Sequence, residues 1–377
     1  MQEIKFGISI SLSGRYSIQG KESFEGLTLW VKDVNNSGGI FVGEHGKKFP
    51  VDLIYYDDES TADKCLEIIE RLINQDKIDV LIGPYSSGIT LAASSIAEKH
   101  KKILWNHGGS SDEIFKQGFK YMVSAITPAS EYFSGVINMV RKIDSEAKKI
   151  TIARAEDSGF SENVATGAKL HGEKNGFKVT ELKYMSGTKD FFSLLTQIKE
   201  NSPDIILGVG RADDDLLLAK QIVQNKVNAK AIGLIVASIK EFGETLGKNA
   251  DGFLGPSQWE EGIRIKPDFG PYSTEFVNNF RKAFNKKPDY TAAQSFNIGL
   301  IIQKCIEDAG TLDGIALREK ANELDFKTFY GHFNIDPLTG AQVGHKTVIV
   351  QWIRGDKIIV YPEEISQSKP AYPFASP

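Results

Sequence analysis

The chain has 377 residues, 41% hydrophobic and 25% charged, with a formal net charge of −4. Such a composition is that of a globular protein with apolar material for two cores, since one core rarely grows beyond ~250–300 residues. The mildly acidic balance excludes a basic nucleic-acid or membrane-surface protein, and no run approaches the ~18–20 apolar residues of a membrane span.

The opening Met1-Gln2-Glu3-Ile4-Lys5-Phe6 enters a strand without a basic or apolar leader region, so any export leader is expected to have been replaced by an initiator Met. Residues 5–10 read as a strand, 13–16 as a turn-rich loop, and 22–36 as a helix stopped by Gly38-Gly39. A strand at 51–56 follows, then a helix with Cys65, Leu66, Ile69, Leu72 and Ile73 on one face. Next come a buried strand at 80–82, a helix at 89–100 and a strand at 103–105. A second series begins after Thr127-Pro128. It has strands at 150–153, 177–182, 204–207 and 231–235, with helices from about 162 to 176, at 191–199 after Asp190, and at 214–224. The tail reads as helices at 276–284 and 293–309, then strands at 329–335 and 347–360. Single helices between short strands imply parallel sheets with right-handed crossovers, and two such series imply two doubly wound α/β lobes.

Ligands of open parallel sheets bind beyond the carboxyl ends of strands. Two successive ends are rich in small polar residues: Gly83-Pro84-Tyr85-Ser86-Ser87-Gly88 before a helix, and Asn106-His107-Gly108-Gly109-Ser110-Ser111-Asp112. A serine at a helix start sets a hydroxyl beside free N–H groups, a small anion site, and glycines admit a ligand close to the backbone. The plainer reading is that these serines only cap helices. In the second series, Arg154 and Arg211 follow strands and match a carboxylate, or else form ion pairs. Tyr16, Trp105 and Trp259 are candidates to stack on an apolar ligand body, or are core residues.

His107 lies near Ser86, Ser87 and Asp112, but the Gly-x-Ser-x-Gly elbow of a serine hydrolase is absent. No histidine or cysteine spacing suits a metal, and neither a phosphate loop nor a dinucleotide fingerprint is present. No enzyme, cofactor or metal is therefore expected. Cys65 and Cys305 leave the redox compartment open.

The motifs, in order, resemble the Leu/Ile/Val-binding-protein type of ABC-transporter solute-binding proteins, with the type I periplasmic-binding fold. Those carrying the resemblance are Gly7-Ile8-Ser9-Ile10-Ser11-Leu12-Ser13-Gly14, Val34-Asn35-Asn36-Ser37-Gly38-Gly39-Ile40, Asp57-Asp58, Leu81-Ile82-Gly83-Pro84 with Ser87, Gly187-Thr188-Lys189-Asp190-Phe191 and Pro203-Asp204-Ile205-Ile206. The resemblance implies three passages between lobes, near Thr127, Gly255-Pro256 and Lys327 to Tyr330. Lobe 1 would be residues 1–126 plus 256–328, lobe 2 residues 127–255 plus 329–377, and hinge closure would enclose the ligand. It places a carboxylate on Ser87, Gly108 and Ser110, and an aromatic contact on Tyr16. Departures lie in lobe 2, where Ile235 stands in place of the family's ammonium-binding acid, Ser158 in place of a Tyr, and Arg211 in place of a Tyr or Gly, leaving Asp213, Glu156 or Asp157 to supply a displaced counter-charge. Trp105 would flank the ligand body with Tyr16, while Arg211 and Asp213 would read its far end. The expectation is an exported periplasmic monomer that hands a small carboxylate, an organic acid or amino-acid relative, to an ABC permease. An ordinary branched-chain amino acid as ligand, or a ligand-sensing module of a receptor, are the alternatives.

Overall fold

The computed structural model describes residues 2–374; Met1 and residues 375–377, within the expected lobe limits, lie outside them. The chain groups into two units, one holding the described residues up to 128 together with 263–346, the other 129–262 with 347 onward.

In chain order the first unit begins with β1 (Ile4–Ile10), α1 (Ser17–Asn36), the hairpin β2 (Ile40–Val42) and β3 (Lys47–Phe49), β4 (Val51–Asp57) and α2 (Ala62–Asn74). It continues with β5 (Val80–Ile82), α3 (Ser87–Lys99), β6 (Leu104–Asn106) and β7 (Met122–Ser124). The second unit then supplies α4 (Ser134–Ile143), β8 (Lys149–Ala155), α5 (Gly159–Lys174), β9 (Lys178–Tyr184), α6 (Phe192–Asn201), β10 (Ile205–Val209), α7 (Ala212–Gln224), β11 (Ala231–Leu234), α8 (Lys240–Leu246) and β12 (Leu254–Ser257). The first unit resumes with α9 (Ser273–Phe284), α10 (Tyr290–Ala309), α11 (Gly314–Glu323), β13 (Phe326–Lys327) and β14 (His332–Phe333), and the second closes with β15 (Val348–Ile353) and β16 (Asp356–Tyr361).

The first unit's sheet has the order β4-β1-β5-β6-β7, all parallel. The chain winds outward from β1 to β4, then returns past β1 to β5, so its topological switch lies at the carboxyl ends of β1 and β5. The second sheet runs β16-β15-β12-β11-β10-β8-β9, parallel from β9 to β12, with an antiparallel β15–β16 hairpin on its edge. Its switch lies at the carboxyl ends of β8 and β10. Strand alternation sends Ile205 and Leu207 to one apolar core and Ile206 to the core on the opposite face. Both faces being covered, these strands read as unbroken apolar runs rather than alternating ones.

Four expectations are corrected. The α2 stripe buries Cys65, Ile68, Ile69 and Leu72, with Leu66 and Ile73 only partly covered. Of the expected strand at 329–335, only His332–Phe333 forms a strand, paired with β13, while Ile335 makes an isolated bridge to Gln342. Residues 329–346 group with the first unit, because Gly340 O accepts from Ser124 N at 2.9 Å and Thr127 Oγ1 lies 2.6 Å from His345 Nδ1. The change expected at residue 256 falls inside β12, whose Pro256 and Ser257 pair with Ile349 and Val348, and so the unit boundary comes at 262/263.

Candidate functional site

At the switch of the first sheet, the carboxyl end of β1 is tied down by Asp58. Its buried carboxylate accepts from Ser9 Oγ at 3.1 Å and Ser11 Oγ at 2.6 Å. Ser60 Oγ donates to Ser13 O at 2.6 Å and accepts from Tyr16 N at 3.0 Å, which fixes the loop carrying Tyr16. The half-buried Tyr16 ring meets Tyr85 edge-on, with centroids 6.0 Å apart, and Arg15 stacks over it at 4.6 Å. A recess of about 600 Å³ opens beside this loop, lined by Arg15, Ser60, Thr61, Ser86 and Gly88 among others.

β5 ends in the loop that starts α3. Ser86 takes φ 81° and ψ 145° there, a region nearly reserved for glycine that costs a side-chain-bearing residue about 1–3 kcal/mol. The strain is held by Ser86 N donating to Gly108 O at 3.2 Å. Gly108 must be glycine, because a Cβ on it would lie 2.5 Å from Pro84 O. Ser87 Oγ accepts from Ser110 N at 3.2 Å and Ser111 N at 3.1 Å. A serine oxygen has two acceptor positions. With both filled, the contact that Ser87 offers another molecule is its O–H proton, which selects an acceptor such as a carboxylate oxygen.

Ser87, Gly108 and Ser110 thus meet in one pair of loops, but the loop amides are not bare. Gly108 N and Gly109 N donate to Asn106 Oδ1 at 3.1 and 2.8 Å, and the Ser110 and Ser111 amides go to Ser87. A head group would meet hydroxyls and the start of α3, not free loop N–H groups. Trp105 is also corrected: at 1% exposure it fills the core and presents no face to a ligand. Alternation along β6 explains this, since Trp105 points away from the core that receives Leu104. Trp259 is likewise buried, at 2%.

His107 is fully buried, and neither ring nitrogen has a hydrogen-bond partner. Burial pushes its pKa down to about 4, so the ring is neutral and is joined to neither Ser86 nor Ser87. Cys65 and Cys305 are buried free thiols, each raised to about 12 by burial. Among the described residues no cluster of His, Cys, Asp or Glu suits a metal, and no helix is long and apolar enough to cross a membrane.

In the second unit, Ser158 caps α5 by accepting from Ser161 N at 3.2 Å. Asp157 accepts from Ser186 N and Oγ at 3.1 and 2.6 Å, and these bonds hold its carboxyl below the usual range. The exposed Arg211 guanidinium approaches Asp157 at 3.6 Å, and Asp213 is exposed in the first turn of α7. Arg154 is committed elsewhere: its Nε meets Glu181 at 2.6 Å and its Nη1 meets Ala155 O at 3.1 Å, inside the protein. The sequence reading missed Asn106, and also Asp214 and Asp215, which are buried beside Tyr184. An acidic triplet at a helix start reads as exposed N-terminal charge; only packing shows that two of its members turn inward.

A protein-family description, periplasmic binding protein, matches residues 3–357. A Leu/Ile/Val-binding protein homolog 7 of Brucella suis is 23% identical over 97% of this chain and 93% of its own length. The branched-chain amino acid transporter substrate-binding protein of Streptococcus pneumoniae, solved with isoleucine, superposes with TM-score 0.75 at 20% identity, covering 98% of this chain and all of that one. A solute-binding protein of an ABC transporter from R. palustris, solved with benzoate, gives TM-score 0.74 at 19% identity over 97% of this chain and 99% of that one.

Proposed function

The chain belongs to the periplasmic binding protein family, whose members bind solutes rather than catalyse, and on that footing we propose that it carries a small carboxylate-bearing solute to an ABC importer of the branched-chain amino-acid class. It works outside the cytoplasm, as a monomer that docks on its permease. The observation that carries this reading is the Ser87 hydroxyl, both of whose acceptor positions are taken by the Ser110 and Ser111 amides. A hydroxyl so held donates to an anion. Gly108 lets the two loops close up, Ser110 lies beside Ser87, and Tyr16 covers the ligand body. The second unit's share is assigned to Ser158, Arg211 and Asp213.

The favoured ligand is an organic acid or an amino-acid relative without a standard α-amino group. Ile235 itself gives an ammonium no counter-charge, so one would depend on Asp213, Glu156 or Asp157, and an unpaired buried ammonium is costly. Arg211, exposed and only 3.6 Å from Asp157, has a guanidinium that a ligand carboxylate would compete for. The R. palustris neighbour with benzoate is consistent with this, while the S. pneumoniae neighbour with isoleucine represents the rival.

A thermal-shift panel of aromatic and aliphatic acids, α-amino acids and amines tests both levels. A ligand at 100 times its Kd adds about 2.7 kcal/mol of stability. Stabilisation by amine-free acids, lost in Ser87→Ala, is the expected result. Response to α-amino acids alone defeats the organic-acid assignment, and wild-type affinity in Ser87→Ala defeats the carboxylate grip.

A further inference from the structure

The chain passes between the two units three times, at 128/129, 262/263 and 346/347. On the second unit's side one residue ties the three passing segments together. Tyr132 follows the first passage, after a single turn at Ala129–Glu131, and its N–H donates to Ala129 O at 3.2 Å. The next residue, Phe133, is fully buried in the apolar core, so the Tyr132 side chain is left half-buried at that core's margin. The Tyr132 hydroxyl accepts from Gln258 Nε2 at 3.0 Å, on the segment that runs from β12 to the second passage. The Tyr132 carbonyl accepts from Thr347 Oγ1 at 3.3 Å, at the first residue after the third passage. Gln258 and Thr347 are both buried, and in such low-dielectric surroundings hydrogen bonds are electrostatically stronger than in water.

The same ring meets the end of α5 that carries Ser158. Phe160, in the first turn of that helix, stands edge-on to Tyr132 with centroids 5.7 Å apart. An edge-on aromatic pair has a preferred geometry and contributes beyond plain burial. Farther along α5, a Cβ on Gly167 would overlap Ser130 O, so the helix backbone lies directly on the segment that leads into Tyr132. The Gly167 contact sets how close α5 comes to that segment, and the Tyr132–Phe160 pair sets its first turn.

From these contacts we infer that Tyr132 is a positioning residue: it joins the start of α5, with Ser158, to all three connecting segments, so that this end of the site and the connections change state together. The inference rests on the solute-binding reading only for the part that Ser158 plays. Coupling of this kind is reciprocal. A solute that holds the Ser158 turn also holds the connections, and a shift of the connections moves the Ser158 turn.

The test is amide hydrogen exchange, read by mass spectrometry on the full chain without solute, in variants that each touch one end of the path. Tyr132→Phe keeps the ring contact with Phe160 and loses the hydroxyl's bond to Gln258. Amides at 158–162 are nevertheless expected to exchange about threefold faster or more. Phe160→Leu leaves the Gln258 bond in place, and amides at 257–262 are expected to speed up by a similar factor. In the double variant the two effects combine to less than their product, because both act through one residue. Amides of β10, in the core of the same unit, keep their wild-type rates. Benzoate and isoleucine, one amine-free acid and one α-amino acid, are the solute probes for calorimetry, and whichever binds the wild type should bind Tyr132→Phe about threefold more weakly. Binding of neither defeats the solute assignment, while the exchange rates still decide the coupling. Acceleration confined to the substituted segment, acceleration of β10 to the same degree, or unchanged affinity of a bound probe in Tyr132→Phe overturns the inference.

Discussion

Asn106 grips Gly109 from both sides: its Oδ1 accepts from Gly109 N at 2.8 Å and its Nδ2 donates to Gly109 O at 2.7 Å. The same side chain reaches Gly108 N and Ser124 Oγ. One buried amide therefore shapes the loop that delivers the Ser110 and Ser111 N–H groups to Ser87.

Asn106→Ala removes all four bonds and strands buried donors and acceptors. Each bond contributes about 1 kcal/mol net, and each stranded group costs about 1–3 kcal/mol. A loss of roughly 2–4 kcal/mol in urea unfolding is expected, with weaker binding of whichever acid the panel selects. A loss below about 0.5 kcal/mol, the scale of a plain surface substitution, would show that the loop holds its shape without Asn106.

Gly108→Ala places a methyl 2.5 Å from Pro84 O, so the two loops must part. Overpacking of this kind costs about 1–3 kcal/mol. Because the displaced loops carry Ser87 and Ser110, isothermal titration should show affinity falling at least as much as stability. Unchanged affinity would remove Gly108 from the site.

Asp215 sets a pH dependence. Its folded pKa of about 7 lies above the unfolded value near 3.9, so the folded state holds a proton that the unfolded state has lost. Stability from this group is complete below about pH 4, declines as pH rises, and is gone above about pH 7. Asp215→Asn should flatten that decline, measured as urea midpoints between pH 4 and pH 8. An unchanged slope would mean Asp215 ionises normally in the fold.

Arg154 separates structure from binding. Its guanidinium is 7% exposed and paired with Glu181, and removing one partner of such a pair costs up to about 3–5 kcal/mol, less here because Glu181 is 23% exposed. Arg154→Met should lower the thermal midpoint while leaving ligand affinity within about twofold, the scatter expected of an independent site. A large loss of affinity at unchanged stability would return Arg154 to the ligand.

Alternating short apolar runs and helical stripes made the two-sheet α/β architecture legible, because strand period, caps and glycine stops are set by neighbours in the chain. Ser87, Gly108 and Ser110 could be picked out for the same reason: small polar residues directly after buried strands mark the ends of a parallel sheet. Which side chains those ends expose was decided by tertiary structure. Trp105 and Asn106 are adjacent in sequence, yet one fills a core and the other ties a loop, through pairing with Val123 and Ser124 far along the chain. Asp213 is exposed while Asp214 and Asp215 turn inward, because helix rotation and the position of Tyr184 choose the buried face. Local propensity fixes where an element starts and stops; burial depends on contacts between distant segments, which composition and spacing do not encode.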